Sequence, residues 1–73
     1  MFFPDKKTVE RVKASYPVGA RVELISMNDK YTKIPAGTLG TVTGVDDTGT
    51  IFVNWDTGSH LGVVYGVDSC ILI

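Results

Sequence analysis

The residues that could act as nucleophile and base are Ser59, His60 and Cys70, and His60 is the one histidine of the chain. A nucleophile must face its base within hydrogen-bond reach, which two neighbours in a turn such as Ser59 and His60 do not. The chain also contains no Gly-x-Ser-x-Gly motif. We therefore expect a protein that is not an enzyme, with His60 exposed in a turn and Cys70 buried as a small hydrophobic residue.

Metal and phosphate sites find little support in the sequence. His60, Cys70 and a carboxylate could hold zinc, but they lack the spacing of known zinc sites, so a metal role for them stays open. The segment 46–49, Asp-Asp-Thr-Gly, resembles the start of a calcium loop without its terminal Glu and favours a tight turn. Gly37 and Gly40 are not followed by the Gly-Lys-Ser/Thr of a phosphate loop. We expect no cofactor and no metal.

The length and composition predict one small domain. The chain has 73 residues and a single cysteine, which excludes an internal disulfide. We expect neither a signal peptide nor a membrane span, and therefore a cytoplasmic protein. The net charge is −1, but the first 33 positions hold seven basic and four acidic residues, and the last 40 hold four acidic and no basic ones. Such asymmetry between halves is a weak sign of a charged partner.

The N-terminal part predicts an amphipathic helix. A tail, residues 1–4, precedes it, and the helix is expected over residues 5–16. Val9, Val12 and Tyr16 recur at the spacing of one helical face. Asp5 can cap the N-terminus, and the proline after Tyr16 ends the helix. A helix this short is marginal alone in water, so it must pack on the rest of the domain.

From residue 19 to residue 73 the hydrophobic period becomes two, which indicates strands. We expect five, joined by a long loop over 27–38 and by short turns: 21–26, 39–45, 50–56, 61–65 and 70–73. Alternation assigns these residues to the core: Val22, Leu24, Val42, Ile51, Val53, Trp55, Leu61 and Val63. Phe52 points outward, and we expect the helix to cover it. The fold class is mainly β, a five-stranded SH3-like barrel with the helix packed on it; an OB-fold is the rival.

Several motifs resemble those of a known family. They are Gly37-Thr-Leu-Gly40-Thr-Val42, Ile51-Phe-Val53-Asn-Trp55-Asp56-Thr-Gly58, Gly66-Val-Asp68 and Tyr16-Pro17-Val-Gly19-Ala-Arg21-Val22. The chain resembles short uncharacterised proteins, classed as a domain of unknown function, that bacteriophages and integrative elements of bacteria encode. It is more loosely similar to mind-bomb-type and CAP-Gly domains, which are SH3-like barrels. The resemblance implies the fold and a mobile-element origin in a bacterial host, but no activity and no binding residues.

The surface residues that we expect to bind lie in the long loop and in a groove beside it: Asp29, Lys30, Tyr31, Lys33, Tyr65 and Asp68. Tyr31 with its flanking lysines could stack on a base and neutralise phosphates. The tyrosines and aspartates could equally form a groove for a basic or Pro-rich segment. A solvated loop without a ligand remains the third interpretation.

Three functions fit these residues. The first is a small module that binds a protein, for example an inhibitor of a host or defence protein of the anti-CRISPR type. The second is a nucleic-acid-binding barrel. The third is a structural protein that forms a homodimer through Phe2 and Phe3 or through the C-terminal strand. We favour the first.

Overall fold

The N-terminal helix forms where the amphipathic pattern predicts it. In the computed structural model, which describes residues 5–27 and 34–73, helix α1 spans Lys6–Ser15. Asp5 is its N-cap, and the Thr8 N–H donates to Asp5 Oδ1 at 2.8 Å. This hydrogen bond lowers the pKa of the Asp5 carboxyl. Tyr16 leaves the helical conformation directly before proline and caps the C-terminus.

In the part of the chain that the structure describes, four strands form one antiparallel sheet. They are β1 (Arg21–Ser26), β2 (Leu39–Val45), β3 (Ile51–Trp55) and β4 (Ser69–Leu72). The order across the sheet is β3-β2-β1-β4, so the last strand pairs with the first. The β2–β3 register shifts between Val42 and Gly44, and the β1–β4 register shifts between Leu24 and Ser26. Such irregularities bend strands and increase their twist.

The prediction of five strands is wrong for the segment 61–65. Only Val63 pairs there, in a single bridge to Ile51 with hydrogen bonds of 2.8 and 2.9 Å. The neighbouring backbone groups have side-chain partners instead. The Leu61 carbonyl accepts from Trp55 Nε1 at 2.9 Å, and the Val64 N–H donates to Asp68 Oδ2 at 3.0 Å. No other residue of this segment pairs with β3, and the described strands form an open sheet.

The inward faces of the strands meet in one core. Seven of the residues assigned to the core by alternation are buried: Val22, Leu24, Val42, Ile51, Val53, Trp55 and Val63. Val12 of the helix and Cys70 of β4 join the same cluster. The prediction that Leu61 belongs to the core is wrong, because this side chain is only half-buried. Its carbonyl carries the indole hydrogen bond, so this segment contributes a backbone acceptor in addition to apolar contact.

The helix does not cover Phe52, contrary to the prediction. Val12 packs in the core cluster on the inner side of the sheet, and the helix contacts β2. Phe52 lies on the outer face and is 42% exposed. Its ring lies beside Gly62, where an added Cβ would be 3.6 Å from Phe52 Cδ1. The outer face of the sheet is therefore left without a helix.

Candidate functional site

Two of the predicted binding residues, Tyr65 and Asp68, line one groove of about 210 Å³. Its other walls come from the end of the helix, from the Ile51–Val63 bridge and from Cys70. Tyr65 is 42% exposed. The remaining candidates, Asp29, Lys30, Tyr31 and Lys33, lie outside the described residues, as do Phe2 and Phe3.

The polar groups of this groove hold the fold together. Asp68 accepts the Val64 N–H, as described above, and thereby closes the turn before β4. The Tyr16 hydroxyl donates to the Cys70 carbonyl at 3.1 Å and ties the end of the helix to β4. Burial raises the pKa of the Tyr16 phenol and of the Cys70 thiol, so both stay protonated at neutral pH. The groove consequently offers a ligand the Tyr65 ring and a largely apolar floor.

His60 and Cys70 lie in different environments. His60 is exposed, and its Nδ1 lies 2.6 Å from Asn54 Oδ1 on the outer face. Cys70 is buried in the core. Within residues 5–27 and 34–73, no group of three or more His, Cys, Asp or Glu side chains could hold a metal ion.

The Asp46 turn is held by its own side chain. Asp46 Oδ1 accepts the Thr48 N–H at 2.9 Å, the Thr48 hydroxyl at 2.6 Å and the Thr50 N–H at 3.0 Å. The Thr48 hydroxyl contributes most to lowering the pKa of this carboxyl. Gly49 completes the turn with a φ of 83°. These hydrogen bonds agree with the prediction that residues 46–49 form a tight turn.

The outer face of the sheet has a polar half formed by β1, β2 and β3. Arg21 makes two hydrogen bonds to Asp56, of 2.9 and 2.6 Å, and a third of 2.9 Å to the Thr41 hydroxyl. The Arg21 guanidinium lowers the pKa of the Asp56 carboxyl. Asn54 pairs with Thr41 across the strands and contacts His60. The charges on this half are thus matched within the chain.

The other half of the outer face is apolar. Glu23 lies on β1, with Leu39 directly opposite on β2 and Ile71 directly opposite on β4. Ile25 follows two positions further along β1, and the Ile73 N–H donates to the Arg21 carbonyl on the other side. We call Ile25, Leu39, Ile71 and Ile73 the aliphatic patch; they are 43%, 36%, 48% and 60% exposed, respectively. Ile25, Leu39 and Ile71 are neighbours of a half-buried Glu23, and Arg21 lies on its remaining side.

The sequence interpretation singled out the C-terminal strand, with Ile71 and Ile73, as a surface for self-association, but it did not connect that strand with Ile25 and Leu39. Alternation places Ile25, Leu39 and Ile71 opposite the core, and large aliphatic residues at outward positions were the available signal. Their proximity depends on the pairing of β1 with both β2 and β4, which a single sequence does not display. The strand register therefore brings these three outward aliphatic residues together on one surface.

The described residues form a four-stranded antiparallel sheet and one short helix, which define a small, mainly β domain. The chain belongs to a family described as Domain of unknown function (DUF4314), whose model matches residues 5–73. A comparison with curated proteins found no match. In the described residues, no helix combines the length and hydropathy needed to span a bilayer.

Proposed function

We propose that this domain is a non-enzymatic protein-binding module built on an SH3-like barrel. The strand order supports this architecture, because β1 pairs with both β2 and the last strand, while the Val63 bridge adds a position beyond β3. The register shift in β2 supports it further, since small barrels bend their strands at such points. The helix would then close one end of the barrel through Val12.

The observation that carries the proposed function is the aliphatic patch. A continuous group of exposed aliphatic side chains on one sheet face is a common mark of a protein-binding surface. Strand pairing holds its residues in fixed positions, so binding would require little ordering of the backbone. The patch is also bordered by the paired charges of Arg21 and Asp56, which resemble the polar rim of protein interfaces.

A protein partner fits this surface better than a nucleic acid. Nucleic-acid binding needs cations aimed at phosphates. The Arg21 guanidinium is already paired with Asp56, and the centre of the patch carries the carboxylate of Glu23. The resemblance to phage and integrative-element proteins supports an inhibitor that acts in the cytoplasm of a bacterial host by occupying a surface of a host or defence protein.

Photo-crosslinking in the native cells tests this function. A benzoylphenylalanine in place of Ile73, at the rim of the patch, should form a covalent adduct with one protein of reproducible mass. Excess wild-type chain should suppress the adduct, and excess Leu39→Ser chain should not. The matched control is Val18→Ser, which alters a side chain that is 75% exposed outside the sheet. This variant should compete as well as the wild type.

Two results would contradict the proposed function. One is the absence of any adduct at position 73. The other is an equal yield of the same adduct when the photoreactive group replaces Val18, because crosslinking would then follow exposure alone. An adduct with the mass of two copies of the chain would instead support self-association.

A further inference from the structure

Glu23 lies on the outer face of β1 between residues of the aliphatic patch. Leu39 and Ile71 are its direct neighbours on the two adjacent strands. Within the part of the chain that the structure describes, no hydrogen bond or ion pair involves its carboxylate. A charge that is half-buried among aliphatic side chains loses hydration without gaining a compensating contact.

The nearest candidate cation on the same strand face does not reach Glu23. Arg21 lies two residues away, and its guanidinium is directed toward β2 and the end of β3, where it binds Thr41 and Asp56. The two hydrogen bonds to Asp56 fix the planar guanidinium in this direction. Within residues 5–27 and 34–73, Glu23 therefore has no cation paired with it.

We propose that the aliphatic patch binds a protein surface on which one lysine or arginine is ringed by apolar side chains, with Glu23 as the ion-pair partner of that cation. This inference rests on the proposed function and names the chemistry of the partner. The aliphatic residues would exclude water from the pair, and a pair protected from water is strengthened. Removing either charge would leave the other one buried and unpaired, which makes the site selective.

The same carboxylate argues against a second copy as the occupant. In a symmetric dimer formed face to face through this patch, each Glu23 would approach its counterpart. Two like charges in a dry apolar interface repel each other strongly. Glu23 would thus prevent the patch from associating with itself while it selects a basic partner.

A variant of the same chain can stand in for the proposed partner surface. A Glu23→Lys variant presents one cation ringed by the same aliphatic side chains. Sedimentation equilibrium should show the wild type alone and the variant alone as monomers at high micromolar concentration. An equimolar mixture should associate, with an average mass that rises toward twice that of either chain. Salt should weaken this association only modestly, because an ion pair from which water is excluded is screened much less than an exposed one.

Two matched variants complete the experiment. Thr43→Lys places a lysine on an exposed outer position of β2 away from Glu23, and its mixture with the wild type should remain monomeric. Glu23→Arg repeats the test with a second cation if Glu23→Lys does not fold, as circular dichroism would show. The inference is overturned if the mixtures of folded Glu23→Lys and Glu23→Arg with the wild type stay monomeric. It is also overturned if the wild type alone associates as strongly as the mixture.

The two proposals fail in different ways. If Glu23→Lys chain still suppresses the crosslink at position 73 as well as the wild type does, a partner exists but does not require the carboxylate. The proposed function would then stand and the inference about Glu23 would fall. If no crosslink forms, the proposed function itself fails.

Discussion

Gly40 of β2 lies close against side chains of β3, and replacing it with alanine tests the packing of the core. A Cβ at position 40 would lie 2.5 Å from Val53 Cγ1, 2.8 Å from Trp55 Cε3 and 3.0 Å from the Asn54 carbonyl oxygen. Carbon atoms pack at about 3.5–4.0 Å, so both core side chains would have to move. Overpacking of this kind costs about 1–3 kcal/mol. The reduced entropy of the unfolded chain returns about 0.4–1 kcal/mol.

We therefore expect Gly40→Ala to lower the free energy of unfolding by about 2 kcal/mol. A domain of this size has a total stability on the order of 5 kcal/mol, so the effect is large. Urea unfolding followed by the fluorescence of Trp55 measures it, because this single tryptophan is 2% exposed in the folded state.

Gly44 in the same strand is the matched control. A Cβ there would meet no atom within 4 Å. Gly44→Ala should leave the stability unchanged or raise it by about 0.5 kcal/mol. Equal urea midpoints for the two variants would refute the close approach of β2 and β3 at Gly40.

Three further predictions concern single contacts. Tyr16→Phe removes the hydroxyl that donates to the Cys70 carbonyl and should cost about 1 kcal/mol of unfolding free energy, measured in urea. The folded-state pKa of Asp46 is lowered below its ordinary value of 3.8, so its hydrogen bonds stabilise the fold above that pH and are lost as the pH falls through the folded pKa. Wild-type stability should consequently fall more steeply with acid than that of Asp46→Asn, and parallel acid titrations would contradict this account. Burial and the raised pKa of Cys70 should make iodoacetamide alkylate it much more slowly in the folded protein than in the urea-unfolded chain, so equally rapid alkylation of the two would contradict its place in the core.

Local sequence patterns predicted the helix and the buried residues of β1, β2 and β3, because helix capping and the alternation of side chains depend on neighbouring residues alone. Asp5 capping and the proline after Tyr16 set the ends of α1, and alternation set the inward residues of β1, β2 and β3. The segment 61–65 shows where this reasoning fails. Val63 alternates as a strand residue would, yet Asp68 and the Trp55 indole occupy the neighbouring backbone groups. Such tertiary hydrogen bonds are invisible to periodicity.

The candidate site was less predictable than the fold. Tyr65 and Asp68 do share a groove, but Asp68 also closes a turn. The outward residues of the sheet could be assigned to one surface only from the strand register, which places Glu23 between Leu39 and Ile71. Phe52, the outward residue that the alternation did single out, lies on the other side of the same face.

Competition for the crosslink at position 73 tests the central claim most directly, because it examines both the patch and its central charge with the natural partner. Excess wild-type chain and excess Val18→Ser chain should abolish the adduct. Excess Glu23→Lys chain should leave it, since a lysine would then face the partner's cation. Equal suppression by all three chains would show that the partner does not use the charge at the centre of the aliphatic patch. Failure of all three to suppress an adduct would show that it does not report specific binding.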